Sequence, residues 1–291
     1  MDIVPQLIAN SIITSATYAL VALGFTLIYG TTKFFNMAHG AVAAVGAYTV
    51  LAISSIRPVG PIGLIGAVVI GVLAAAFLGY ALEKIIYAPL RRRHASGMVL
   101  LVASIGAFTV IQALLAIFFT SQFQILAAHD TNSTVFEIMG AVITKTQGII
   151  IISAVVITAF ISWALKKTLF GKAVRAINDD EEVARVVGIN TEKIIGKVFF
   201  MGSAIAGLAG ILIGFDTGLE PTMGMNMLLK GIVGSIVGGM GSIQGAVLGS
   251  FVLGFAENFG IWKISGEWKD AIAFGLLIIF LLWKPKGIIQ K

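Results

Sequence analysis

Residues 98–119 read Met98-Val99-Leu100-Leu101-Val102-Ala103-Ser104-Ile105-Gly106-Ala107-Phe108-Thr109-Val110-Ile111-Gln112-Ala113-Leu114-Leu115-Ala116-Ile117-Phe118-Phe119. A helix needs about 20 consecutive apolar residues to cross a bilayer, and this run supplies them without one charge. Similar runs occupy 7–29, 38–56, 62–82, 148–165, 194–215, 226–240, 243–261 and 270–283. The 226–240 and 270–283 runs are the short ones. The runs lack period-2 alternation, so a β-barrel is not expected. The chain opens Met1-Asp2 with no basic stretch, so the first run reads as a retained span. The expectation is an all-α polytopic membrane protein with about 8–9 hydrophobic segments, some broken or re-entrant. No long soluble domain or linker is visible, so 1–291 reads as one transmembrane domain.

Composition agrees. Of 291 residues, 58% are hydrophobic and 12% charged, and mean hydropathy is +0.98. Soluble domains sit near ~45–50% apolar and ~25% charged. Disorder is excluded, because it requires low hydrophobicity and many charges. Cysteine is absent, which removes disulfides, thiolate metal sites and cysteine nucleophiles. The three histidines, His39, His94 and His129, are not paired at metal-ligand spacing, so neither metal nor cofactor is expected. The net charge of +6 falls between apolar runs, the pattern of membrane topology rather than of nucleic-acid binding. There is no Walker A loop, no H-E-x-x-H, no G-x-S-x-G and no paired carboxylates. The chain does not read as an enzyme. The runs contain almost no central Asp or Glu, which argues against an ion-coupled carrier.

Three basic blocks set the orientation. They are Arg91-Arg92-Arg93, then Lys166-Lys167 with Lys172 and Arg175, and the tail Lys284, Lys286 and Lys291. The positive-inside rule places all three in the cytoplasm, and Lys33 agrees. Arg57 and Lys145 then fall outside, as does Met1. Two crossings join Arg91 to Lys166, and an even number must join Arg175 to Lys284. The 226–261 stretch therefore supplies two crossings or a re-entrant pair, but not one crossing.

The 34 glycines exceed what turns require. Gly241, Gly245 and Gly249 form one small-residue row, and Gly202, Ala206, Gly210 and Gly214 another. Such rows usually let helix backbones approach closely in lipid; thinning the wall of a solute path is the alternative. Gly238-Gly239-Met240-Gly241-Ser242 predicts a break, since each glycine weakens a helix by about 1 kcal/mol. In Asn36-Met37-Ala38-His39-Gly40, His39 is either a satisfied neutral donor and acceptor or a substrate or gate group. Lys230 either snorkels to the outer interface or forms an ion pair. Glu257 and Asn258 are expected to meet interfacial solvent.

The longest charged stretch is 166–193. Asn178 is expected to cap a short helix, with Glu181 completing a capping-box-like pair. Asp179, Asp180, Glu181 and Glu182 crowd the positive end of its dipole. Gly188 supplies a left-handed stop, followed by Ile189. About ten residues reach about 15 Å, half a bilayer, so this helix is not a span. Val183, Val186 and Val187 form one apolar stripe beside the small Ala184. The clustered carboxylates oppose docking on an anionic inner leaflet. A groove on a partner protein is the expected seat.

This loop, from Gly171-Lys172-Ala173-Val174-Arg175-Ala176-Ile177-Asn178 through Glu182, Ala184 and Gly188-Ile189-Asn190, resembles the coupling loop of ABC importer permeases. It has the form found in the ribose and branched-chain amino acid permease superfamily. Thr17-Tyr18-Ala19-Leu20-Val21-Ala22-Leu23-Gly24-Phe25-Thr26-Leu27-Ile28-Tyr29-Gly30, with Phe35-Asn36-Met37-Ala38-His39-Gly40, is similar to the N-terminal signature of the LivH-type branch. Gly238-Gly239-Met240-Gly241-Ser242-Ile243-Gln244-Gly245-Ala246 matches near the C-terminus. Tyr87-Ala88-Pro89-Leu90-Arg91 is similar to that family's loop after the third span. Met37 stands where an aromatic is common, and Gln244 where proline is common.

The resemblance implies a multi-pass permease of the bacterial or archaeal cell membrane. It implies three kinds of partner besides lipid: a second homologous permease, two cytoplasmic ATPases and an extracytoplasmic binding protein. ATP hydrolysis would reside in those ATPases. The implied solute is leucine, isoleucine or valine; urea and amide importers share the architecture. Gly171, Asn178, Glu181, Glu182, Val183, Ala184, Val186, Val187 and Gly188 would couple to the ATPases. Asn36, His39, Gly40, Gly239, Gly241, Ser242 and Gln244 are the candidates for the solute path. The rival classes are a self-contained channel or carrier, which would transport without ATPase, and a membrane scaffold, which leaves the acidic helix and glycine breaks unexplained.

Overall fold

A computed structural model of the chain describes residues 3–56, 61–126, 135–138 and 140–289. The expectations for Met1, Arg57, His129 and Lys291 lie outside the described residues. In chain order the elements are α1 (Ile3–Thr32), α2 (Ala38–Ile56), α3 (Pro61–Leu82), a π-helical turn (Glu83–Tyr87), α4 (Ala88–Arg92) and α5 (Gly97–Phe119). Next come strands β1 (Val135–Ile138) and β2 (Ala141–Thr144), then α6 (Lys145–Lys167), α7 (Leu169–Asp179) and α8 (Glu181–Val186). The chain continues through α9 (Thr191–Thr217), α10 (Met223–Gly238), α11 (Ile243–Ile261), a 3₁₀ turn (Gly266–Trp268) and α12 (Lys269–Trp283).

Among the described residues six helices are long and apolar enough to cross a membrane: α1, α2, α3 continued into α4, α5, α6 and α9. The pair α10 and α11 meets at a break with a bend of 112°. The 15 residues of α12 reach only about 22 Å. Exposed Trp268 and Trp283 stand at its two ends, the usual place of interfacial aromatic anchors. The protein is thus an all-α polytopic membrane protein, with one small addition. Strands β1 and β2 form an antiparallel hairpin with Val135 opposite Thr144, tied to α1 by Gln6, whose amide brackets the Val142 backbone at 2.7 and 3.2 Å.

Helix starts follow their side chains. Thr144 and Gln147 form a reciprocal capping box at α6, Thr168 accepts from Gly171 N at α7 and Ser242 accepts from Gly245 N at α11. Each satisfies amides that a helix start leaves without an intrahelical partner. Helices α1 and α9 are buried along most of their length, while Phe77, Ile117, Phe118 and Val155 point outward. Glycine rows make the core tight. A Cβ on Gly249 would stand 2.0 Å from the Gly234 carbonyl, and one on Gly210 would stand 2.1 Å from that of Ala43. Close backbone packing is therefore their function in this fold.

The stretch Tyr87–Arg91, expected as a loop, is helical. Pro89 has no amide to give and its ring would collide with the carbonyl four residues back. The helix accommodates it by widening into the π turn just before. Glu83, buried in that turn, forms a bidentate ion pair with Arg91 that closes the bulge.

The basic blocks collect at one end. Arg92 pairs with Glu192 at 2.5 Å. Lys33 donates to Asn178 at 2.6 Å. Tail amides of Ile288 and Ile289 donate to the Val237 and Gly238 carbonyls at 3.0 and 2.9 Å. At the opposite end Gln124 and Leu219 exchange backbone hydrogen bonds of 2.9 and 2.8 Å. Helices α10 and α11 run toward and away from the basic end, which meets the parity condition with a broken pair. The positive-inside rule makes that end cytoplasmic.

Candidate functional site

The 166–193 stretch folds as two short helices rather than one. Gly171, Val174 and Ile177 on α7 are buried against the bundle. A Cβ on Gly171 would stand 2.3 Å from the carbonyls of both Ala164 and Leu165, so glycine is required where α7 folds back on α6. Arg175 also donates to the Leu165 carbonyl. That packing carries the α7 helix through Asp179, which corrects the expected cap. Asn178 lies inside the last turn of α7, and Asp180 caps α8 by accepting from Glu182 N and Val183 N at 2.8 and 3.0 Å. Glu181 pairs with Arg185 at 3.0 Å and Glu182 lies in the first turn. Gly188 has φ +88°. Ile189 N reaches the Ala184 carbonyl at 3.0 Å and Gly188 N that of Arg185 at 3.1 Å, a Schellman stop.

Ala184 is 2% exposed and faces the bundle, whereas Val183, Val186 and Val187 are 58%, 86% and 69% exposed. Ala184 thus anchors the helix and the valines face away. Asn178 joins this platform to the spans. Its carboxamide lies against both Gly30 on α1 and Gly241 at the break, and accepts from Lys33.

The break forms where expected, with φ +113° at Gly239 and +83° at Gly241. Ser242 spends its hydroxyl on the α11 cap, and Gln244 is exposed. These four residues stand at the cytoplasmic end beside Asn178, not with the other path candidates. Asn36, His39 and Gly40 form a separate group where α2 begins. Asn36 is buried and accepts from the Tyr87 hydroxyl at 3.0 Å. A Cβ on Gly40 would stand 2.2 Å from the Gly224 carbonyl, so this is where α2 meets α10. His39 is 1% exposed and lies toward the Val21 carbonyl, yet neither ring nitrogen completes a hydrogen bond among the described residues. The Val21 carbonyl is the polar group nearest the ring. Gly24 makes room for the ring, since a Cβ there would stand 2.9 Å from His39 Nε2.

The sequence also underread one cluster. Lys230 pairs with Glu257 and with Asp270, each at 2.7 Å. Glu257 is 0% exposed and also accepts from the Tyr18 hydroxyl at 2.6 Å. Interfacial solvation does not describe it. Opposite charges in neighbouring apolar runs were the available signal, because intramembrane charges pair.

A bundle of apolar helices of this kind, with a capped helix platform at its basic end, defines a multi-pass membrane protein. The chain belongs to the family described as branched-chain amino acid transport system / permease component, whose profile matches residues 7–281. It is 31% identical over 295 residues to the high-affinity branched-chain amino acid transport system permease protein BraD of Pseudomonas aeruginosa, covering 98% of this chain and 95% of that one. It is 31% identical over 296 residues to the corresponding LivH of Escherichia coli K12, with the same coverage of 98% and 95%. Among solved structures, PsaBC from Streptococcus pneumoniae in complex with Fab aligns with a TM-score of 0.54 at 16% identity, covering 97% of this chain and 93% of that one. This last likeness concerns the fold alone.

Proposed function

We propose that this chain, acting as one domain over 1–291, is the permease through which leucine, isoleucine and valine enter the cell. It pairs with a second homologous permease, receives solute from an extracytoplasmic binding protein, and is driven by two cytoplasmic ATPases. The solute class rests on the functions named for BraD and LivH. ATP chemistry belongs to the partner chains.

The observation that carries the coupling role is the outward valine stripe of α8 on a helix anchored by Ala184. An isolated helix below about 12 residues is marginal, so α8 gains its order from α7, α9 and a docked ATPase. When ATP closes the ATPase pair, α8 moves as a lever. Gly171 sets the angle between α6 and α7. Asn178 passes the displacement to the end of α1 through Lys33 and Gly30, and to the glycine break at Gly239 and Gly241. Helices α10 and α11 then rock about that break, a rigid-body transition between inward and outward access. Glu181 and Glu182 add charge to the docking face. Asn36, His39 and Gly40 lie on the path, where the buried His39 imidazole beside the Val21 carbonyl is available to the zwitterion. Ser242 and Gln244 mark its cytoplasmic mouth.

The test is ATP-dependent uptake into vesicles holding the chain purified with its native partners. Leucine, isoleucine and valine accumulate and compete with one another. Accumulation of urea or a simple amide in their place would overturn the solute class, and uptake without ATP would overturn the coupling.

A further inference from the structure

At the cytoplasmic end a cavity of about 150 Å³ opens between α1, α6, α7 and the start of α11. Leu27 and Val174 contribute apolar wall, and Lys166, Arg175, Asn178 and Ser242 contribute polar groups. The lining holds two cations and no carboxylate. Neither Lys166 nor Arg175 forms an ion pair among the described residues. Arg175 commits one donor to the Leu165 carbonyl, which leaves the remainder of its five-donor fork.

Two uncompensated cations beside apolar wall call for an anion with an apolar body. An amino acid leaving through the mouth at Ser242 and Gln244, which edge this cavity, does not meet that description and passes without settling in it. Its ammonium would lie near Lys166 and Arg175 with no carboxylate to receive it. The cavity lies at the level of the inner leaflet, where anionic headgroups are abundant, and basic pockets between membrane helices on that side suit them. We propose that this cavity binds the phosphate of an anionic phospholipid, with an acyl chain against Leu27 and Val174. Lys166 lies in the last turn of α6 and Arg175 lies on α7, so the headgroup bridges the two helices across the Gly171 elbow. The lipid thereby stiffens the platform that carries α8. This goes beyond the transport role and is read without transport.

The experiment is native mass spectrometry of the full chain released from detergent, offered phosphatidylglycerol, phosphatidylcholine or inorganic phosphate. Phosphatidylglycerol is retained in preference to phosphatidylcholine. Its retention falls roughly thirtyfold in Lys166→Gln/Arg175→Gln, the loss expected for two cations facing a headgroup. The variant Lys167→Gln/Lys284→Gln, which removes the same charge from the same end outside the cavity, retains the lipid. Should the first double variant fail to fold, Lys166→Gln alone weakens retention and Arg175→Lys preserves it. Equal retention in the cavity variants, equal loss in the control pair, or displacement of the lipid by millimolar inorganic phosphate would each overturn the proposal.

Discussion

Helices α7 and α8 follow one another, are both short, and both carry an apolar stripe. On α7, Gly171, Val174 and Ile177 are buried by the chain itself. On α8, Val183, Val186 and Val187 remain exposed while Ala184 alone turns inward. The residue types are alike, so the difference lies in where the partner surface resides. α7 finishes its packing within the molecule and serves as a foundation. α8 leaves the same kind of stripe exposed, and under the proposed coupling role its partner surface lies on an ATPase. The cluster around Glu257 repeats the α7 case with charge in place of apolar area, because Lys230, Tyr18 and Asp270 all come from the same chain.

The contrast is broken most severely where the internal partner is ionic. Lys230→Met leaves Glu257 buried without its main counter-charge, with Lys269 3.8 Å away as the remaining cation, and costs about 3 kcal/mol or more. The melting temperature in detergent and the yield of folded chain fall together, and Lys230→Met/Glu257→Leu recovers most of the loss. No recovery in the double variant would mean the pair does more than satisfy itself. Next comes α7. Ile177→Asp buries an unpaired carboxylate and costs several kcal/mol, seen as loss of folded chain before any transport assay.

The same change on α8 separates the two helices. Val186→Asp touches no internal packing, so stability stays within about 0.5 kcal/mol, the range for an ordinary surface substitution. Leucine uptake nevertheless drops by about tenfold or more, because a charge is driven into an apolar groove on the partner. A Val186→Asp chain as unstable as Ile177→Asp would erase the distinction between foundation and docking face. The smallest effect is expected at the cap. Asp180→Ala removes the acceptor for two amides and costs about 1 kcal/mol, read as a partial fall in uptake with folded yield nearly intact.

Much of this was legible in the sequence because the signals are local. Apolar runs announce spans by length, so each helix of the bundle appears within a few residues of its expected place. The valine periodicity of α8 and the stop at Gly188 are also local, as is the glycine break at 238–242. What escaped is set by packing between distant parts. The cap moved from Asn178 to Asp180 because burial of Val174 and Ile177 extends α7. The π turn at Glu83–Tyr87 lets the helix run on through Pro89, and the pairing of Arg91 with the buried Glu83 that closes it is not visible in the linear pattern. The β1–β2 hairpin has only four residues in each strand, too few for alternation to register. The path candidates divided into two groups because Asn36, His39 and Gly40 and the 239–244 break, far apart in sequence, fold to different places. The burial of His39 beside Gly24 and Val21 is likewise a property of its neighbours in space, not of its own flanking residues.

The central claim is that α8 carries the ATPase contact and α7 does not. Because the chain has no native cysteine, single cysteines placed at Val186 and at Ile177 can be compared in the transporter purified with its partners. A short bifunctional thiol cross-linker joins the Val186→Cys chain to an ATPase bearing a surface cysteine, and a bulky maleimide reaches Val186→Cys only after the ATPases are stripped away. Ile177→Cys neither cross-links to the ATPase nor changes its labelling on stripping. Free labelling of Val186→Cys in the intact assembly, equal to that in the isolated chain, would contradict the account.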